Sequence, residues 1–271
     1  MKDINIIKGL GYFPMLSKLK VKNFFTFDNK VWENMRYTEN PSSLTRLNKA
    51  FKLVGIKSKK YICILSKHDS KVQFLNHRNL QVYGMFNREE EIKGSIEPLR
   101  LYIDGLITKL SFPIVIAPAD CVVLVIYGKD SKDRKKFIMV LHLGVSGTYL
   151  KLHEKALKQA HMYYKFKNKD LKAFLFPYIH GENYLKTRED DTCNILNKKE
   201  WKKYLIEVKN KIEVDFGRKI KDDLEKFDIK CIYDSELDTY EECKKGKLFS
   251  HTYLKEKRLG DTKRFAIGVS L

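Results

Sequence analysis

Three side chains able to hold a metal or to attack a carbonyl stand at breaks in apolar stretches of this chain. Cys121 ends Ala119-Asp120-Cys121 ahead of a strand-like run, His142 opens His142-Leu143-Gly144 after another, and His68 follows Ile62-Cys63-Ile64-Leu65. Two imidazoles and a thiolate form a three-donor set that leaves a tetrahedral ion one open position, the arrangement a catalytic zinc needs. The same residues suit a second chemistry, in which Cys121 is a nucleophile, His142 its base, and His68 or Asp120 the orienting group. Residue type does not separate the two, because both hold a thiolate beside an imidazole. The metal reading predicts that the three donors converge, within roughly 4 Å of one another even without an ion.

Strands must carry these groups. Val21–Phe27, Tyr61–Leu65 and Lys71–Leu75 have the β-branched and aromatic content of strands, with His68-Asp69-Ser70 as the turn between the last two. Pro113–Ala117 and Val122–Tyr127 flank Asp120-Cys121, and their continuous apolar character predicts burial on both faces. Gly128–Lys136 reads as a charged hairpin loop and Phe137–Leu141 as the return strand to His142. Helices are expected after Pro41, with Leu44, Leu47, Phe51 and Val54 on one stripe, and after Gly147, with Leu150, Leu157, Ala160 and Tyr164. A further helix is expected after Asn197, with a capping box to Glu200 and Trp201, Leu205, Val208 and Ile212 on its apolar face. Another spans Asp215–Lys226, and short strands follow at Lys230–Tyr233 and Phe265–Leu271. Strands and helices mixed without regular alternation indicate an α+β class, organised as one domain over residues 1–271.

Bulk properties narrow the partners. The net charge is +19, but only ten of the 53 basic residues are arginine and the lysines are spread along the whole chain. Base and phosphate recognition draws on arginine's fork of donors, so this pattern fits a lysine-biased proteome and non-specific electrostatics rather than a nucleic-acid interface. No apolar run is long enough to span a bilayer and the N-terminus lacks a signal-like core, so no membrane is expected and the chain reads as cytoplasmic. Cys63, Cys121, Cys193, Cys231 and Cys243 are odd in number and without CxxC spacing, which excludes a disulfide framework and a zinc ribbon. His153 and His161 read as packing or surface residues of their helix, and His77 has no partner in sequence.

In order and spacing, Asp104-Gly105-Leu106-Ile107-Thr108, Pro118-Ala119-Asp120-Cys121 and Leu141-His142-Leu143-Gly144-Val145-Ser146-Gly147-Thr148 resemble the laccase-domain family. Its members have been called multicopper polyphenol oxidases, peptidoglycan editing factors and zinc-dependent purine nucleoside phosphorylases. Ser66-Lys67-His68-Asp69, Phe176-Pro177-Tyr178-Ile179 and Leu248-Phe249-Ser250-His251 through Arg264 are similar to its remaining segments. The resemblance implies a layered α/β/β/α sandwich with mixed sheets. It also implies His68, Cys121 and His142 as ligands of one zinc ion, and phosphorolysis of adenosine- and inosine-type nucleosides together with adenosine deamination. Nucleoside and phosphate are the partners it implies. Copper fits less well, because a multicopper site needs clustered histidines and the seven here are scattered.

The family's GWRG tryptophan and arginine correspond to Val145 and Ser146, its paired cysteines to Glu182-Asn183, and a later Cys-Thr to Asp238-Thr239. Those changes remove phosphate-side equipment while keeping the donor set, so a non-catalytic binding member stands as a further alternative. Asp120, His180, His251 and Arg264 are the candidates for substrate contacts, with Arg264 a replacement for the lost cation. If the basic surface is compositional, affinity for generic duplex DNA, measured by fluorescence anisotropy, should fall steeply between low and physiological salt.

Overall fold

A strand that is apolar at every position must be covered on both faces, and Val122–Tyr127 imposes that condition on the centre of this protein. The structure is a computed structural model that describes residues 3–35, 42–58, 60–76, 97–190, 199–260 and 263–271. In chain order the strands are β1 (Asn5–Ile7), β2 (Leu10–Tyr12), β3 (Lys22–Thr26), β4 (Lys60–Ile64), β5 (Val72–Leu75), β6 (Glu97–Leu101), β7 (Gly105–Thr108) and β8 (Ile114–Ile116). They continue as β9 (Val122–Lys129), β10 (Lys136–Leu143), β11 (Lys172–Leu175), β12 (Leu185–Thr187), β13 (Leu205–Val208), β14 (Lys211–Val214), β15 (Cys231–Asp234) and β16 (Ile267–Ser270). The helices are α1 (Pro14–Lys18), α2 (Asn29–Trp32), α3 (Ser42–Leu53), α4 (Val145–Tyr149), α5 (Leu152–Tyr163), α6 (Phe216–Lys226), α7 (Thr239–Lys244) and α8 (His251–Glu256).

One sheet has the order β1-β2-β3-β16-β8-β4-β6 and the other β15-β11-β9-β10-β7-β5. Both mix parallel and antiparallel pairs: β8, β4 and β6 run parallel in the first, while β9 and β10 form an antiparallel hairpin in the second. The period of two along β9 assigns the faces. Val123, Val125 and Tyr127 enter the core between the sheets, together with Ile62, Ile64, Ile114 and Phe25 of the other sheet. Val122, Leu124 and Ile126 point outward, beneath Leu152, Ala156 and Leu157 of α5 and Ile220 and Leu224 of α6. Phe24, Tyr61, Cys63 and Val115 on the far side of the first sheet are covered by Leu47, Ala50 and Phe51 of α3 and by Trp32. The result is the expected α/β/β/α sandwich. Cys63 is fully buried in that outer layer, and burial pushes its thiol up to about 12.

Parity also sets the direction of the candidate donors. On β10, Ile138 and Val140 face the inter-sheet core, so His142 continues that face at the strand's end. Cys121 immediately precedes β9 and shares the parity of Val123. In the hairpin register His142 lies opposite Val123, and Leu143 opposite Val122.

Two expected helices differ. The stretch after Gly147 is divided: Lys151 adopts a left-handed conformation (φ 57°) between α4 and α5, which turns Leu150 outward at 38% exposure while Leu157, Ala160 and Tyr164 stay buried. The helix expected to carry Trp201, Leu205, Val208 and Ile212 is instead a 3-10 turn, Lys199–Tyr204, followed by the hairpin β13–β14. The β-branched residues Ile206, Val208, Ile212 and Val214 favour strands, and Val208 pairs with Lys211 across a two-residue turn in which Lys209 has φ 55°. With β12 this hairpin builds a small third sheet, β12-β14-β13. Asn197, Cys193 and His77 lie outside the described residues.

Phe176 follows β11 and packs edge-on against Phe13 (5.0 Å between centroids) and Phe25 (6.2 Å) in the inter-sheet core. Truncating such a ring loses burial and leaves a cavity. Phe176→Ala should therefore lower unfolding free energy by about 3–5 kcal/mol in urea titrations.

Candidate metal centre

Asp104, just before β7, organises the end of the sandwich where the donors meet. Its peptide oxygen accepts the His142 amide at 2.7 Å, and its own amide donates to the Lys71 carbonyl at 2.9 Å. Its carboxylate, 1% exposed, accepts the backbone N–H groups of His68 (3.1 Å), Asp69 (2.8 Å) and Ser70 (2.9 Å) and the Ser66 hydroxyl. These contacts hold a loop that crosses from β4 in one sheet to β5 in the other, with His68 at φ 58° and Ser70 at φ 60°. Non-glycine residues with positive φ are sparsely populated, and the ring of amides around one carboxylate compensates for that backbone.

Cys121, His142 and His68 are brought to one end of the inter-sheet space. The His68 and His142 rings meet edge to face with centroids 5.0 Å apart. Gly144, opposite Cys121, leaves room for the sulfur: a Cβ there would stand 2.8 Å from Cys121 Sγ and 3.7 Å from His68 Nδ1. The cluster is wider than expected. The three donors do not all come within 4.8 Å of one another, a closeness that His180, Glu182 and Asp238 do reach among the described residues. Two imidazoles, one thiol and the space at Gly144 nevertheless fit a zinc ion with an open fourth position.

Electrostatics distinguish the two histidines. Burial disfavours a charged His142, but the neighbouring Cys121 and Asp104 outweigh it and push the imidazole up to about 9. His68 is shifted below its ordinary value, first by burial and then by the charge of His142, with Arg264 adding to the effect. A ring kept neutral is the metal-binding form. The Asp104 carboxyl is held well below the usual carboxylate range: burial opposes this, and the nearby His142 imidazole together with hydrogen bonds from Ser66, Asp69 and His68 overcomes it.

The donors open on a cavity of about 670 Å³. Val145, Ile179 and Phe216 give it an apolar wall, Tyr102 and Tyr184 aromatic faces, and Lys67, Lys186 and Arg264 positive charge. Lys67 lies over the Tyr102 ring (5.1 Å) and Lys186 over Tyr184 (4.7 Å). The third sheet supplies Lys186 directly, and the Tyr184 carbonyl accepts the Val214 amide of β14 at 3.1 Å.

Among the other expected contacts, Asp120, His251 and Arg264 line this cavity and His180 does not. The Asp120 carboxylate is engaged by the Thr239 hydroxyl (2.8 Å) and by the Thr252 amide (2.7 Å) and hydroxyl (2.8 Å). It therefore ties the Cys121 loop to the starts of α7 and α8. His180 faces Asp238 at 3.9 Å, whose oxygens accept Asn183 Nδ2 (2.7 Å) and the Tyr240 amide (2.8 Å). His153 is a packing residue, buried and bonded to Asp223 at 3.2 Å between α5 and α6. His161 stacks on Phe166 at 4.0 Å. Asp104 stands in a motif that sequence alone gives no role, and Lys67, Tyr102, Tyr184, Lys186 and Phe216 carry no sequence signal for the cavity. Nothing in local sequence marks these wall residues, which come from separate elements.

A family model described as "Multi-copper polyphenol oxidoreductase laccase" matches residues 38–269. No curated protein matches the chain. Among solved structures, the hypothetical protein YfiH of Bacillus licheniformis is similar with a TM-score of 0.76 at 16% identity, covering 100% of both chains. YlmD of Geobacillus stearothermophilus is similar with a TM-score of 0.75 at 15% identity, covering 100% of this chain and 99% of its own. Neisseria meningitidis protein NMB0706 reaches 0.65 at 15% identity, covering 93% and 94%. These likenesses concern the fold.

Gly144 has φ −80°, which alanine adopts without strain, so a methyl group there acts on Cys121 and not on the backbone. Gly144→Ala should leave the thermal midpoint little changed and weaken zinc binding by about tenfold or more, read by competition with a chromophoric chelator.

Proposed function

The chain belongs to the multi-copper polyphenol oxidoreductase laccase family, and from that premise we propose that it is a zinc-dependent enzyme acting on purine nucleosides, with phosphate as the second substrate. The observation that carries this reading is the meeting of His68, Cys121 and His142 at a cavity whose walls divide into an apolar, aromatic part and a cationic part. His68 and His142 through their imidazoles and Cys121 through its thiolate would hold the ion. A bound zinc supplies a Lewis acid beside the reacting groups. Val145, Ile179, Phe216 and Tyr184 present surfaces suited to a flat heterocycle, while Lys67 and Arg264 offer positive charge to an inorganic phosphate. In phosphorolysis a phosphate oxygen bonds to C1′ as the bond from C1′ to the base breaks, and the departing base takes up a proton. Lys67 and Arg264 would orient the anion for that attack. With Val145 and Ser146 in place of the family's tryptophan and arginine, turnover is expected to be weak. Adenosine deamination in the same cavity is part of the proposal.

A cysteine hydrolase is the second reading, favoured by the contact between Cys121 and His142 that pushes the imidazole up to about 9. In that mechanism Cys121 attacks, His142 moves the proton, and no ion is required.

His68 separates the two readings, because it belongs to the zinc set and lies outside the Cys121–His142 pair. Asparagine tolerates the positive φ of this position better than alanine. His68→Asn should lose bound zinc and reduce phosphate-dependent cleavage of adenosine and inosine beyond the ~10–100-fold typical of losing an outer partner. Elemental analysis together with base release measured with and without chelator decides it. Full activity of this variant in chelator would make Cys121 a nucleophile and end the zinc mechanism.

A further inference from the structure

We infer that Asp104 is a positioning residue for the metal centre, orienting His142 so that its Nε2 is the donor presented beside Cys121. The inference rests on the proposed zinc site and deepens it. His142 Nδ1 is buried and makes no hydrogen bond, and it faces Asp104 Oδ1 at 3.7 Å. A buried ring nitrogen beside a carboxylate carries a proton, and a small rotation of the ring closes this separation to a hydrogen bond. When an ion displaces the proton on the other nitrogen, that nitrogen is the donor, which is how a carboxylate selects the tautomer of a metal-binding histidine.

Asp104 reaches both histidines by independent routes. Its main chain is bonded to His142 through the 2.7 Å contact with the amide, which fixes the end of β10. Its carboxylate gathers three consecutive amides of the loop bearing His68. One residue therefore sets the separation between two of the three donors, one from a strand and the other from a loop with left-handed backbone. Its carboxylate is buried and also accepts the Ser66 hydroxyl, so its nearest partners are the loop amides and His142. This arrangement is built from the chain alone and precedes any ion.

The test combines affinity and a spectroscopic signature. Zinc affinity is measured by chelator competition for the wild-type protein, Asp104→Asn, Asp104→Glu and Ser66→Ala. The tautomer of His142 is read from long-range ¹H–¹⁵N spectra of the zinc-loaded wild-type protein. We expect His142 bound through Nε2 with Nδ1 protonated, and a loss of affinity of about 10–100-fold in Asp104→Asn. Asp104→Glu, which keeps the charge, should recover part of that loss. Ser66→Ala removes one donor to the same carboxylate but leaves its contact with His142, and should cost about fivefold or less. Binding of zinc through His142 Nδ1, or unchanged affinity in a folded Asp104→Asn, would overturn the inference while leaving the zinc site intact. If Asp104→Asn does not fold, the wild-type tautomer and Asp104→Glu still decide it. A wild-type protein that binds no zinc would overturn the metal reading itself, and this one with it.

Discussion

Burial of both faces of β9 and β10 is the constraint from which the rest of this structure follows. A hairpin with no polar side has to lie between two layers, so one face takes the helices α5 and α6 and the other takes a second sheet. Where the hairpin leaves the sandwich, its inward-facing positions stop being Val and Ile and become Cys121 and His142. Two reactive side chains thus stand at the rim of an apolar interior, on neighbouring strands whose register is fixed by continuous hydrogen bonding. A one-residue slip would turn every inward group outward, so the burial that stabilises the hairpin also specifies where the sulfur and the imidazole point.

The third donor has no such support. His68 lies on a connection between sheets, and connections do not inherit a register. Asp104 substitutes for one by binding successive amides of that loop, and hydrogen bonds to a charged acceptor are each of order 1.5–3 kcal/mol. The strand ends and the loop are therefore held by different physics, hydrophobic register in one case and a buried anion in the other.

That division explains what could be read from the chain. The unbroken apolar runs made the central strands legible, but a strand apolar on both faces does not say which way Cys121 and His142 point; that follows only once the two cores are assigned. The helix expected at Asp215–Lys226 is present as α6, and the structure adds its cap: the Asp215 side chain accepts the Arg218 amide. The hairpin of β13 and β14 was not legible, since Trp201, Leu205, Val208 and Ile212 fall at helical spacing by coincidence while β-branching favoured strands. The cavity wall was illegible for another reason: Tyr102, Tyr184, Lys186 and Phe216 acquire their shared location only from tertiary packing. The role of Asp104 was hidden likewise, because a carboxylate before a strand resembles any turn residue until the amides it gathers are seen. His180 looked like a pocket residue by its neighbours in sequence, yet packing carries it toward Asp238.

The small third sheet has a consequence of a different kind. Cys121 and His142 stand at the rim of the sandwich and Tyr184 packs against its core, whereas Lys186 belongs to a peripheral sheet whose strands are largely solvent-exposed. On the proposed reading, the reacting groups and part of the cavity wall thus reside in parts of the molecule with unequal ties to the core. Val145, Ile179 and Phe216 of the cavity wall are tied to core packing, but Lys186, on an exposed strand, can change at little cost to folding. A protein built on this plan could keep the proposed chemistry while one side of its cavity changes.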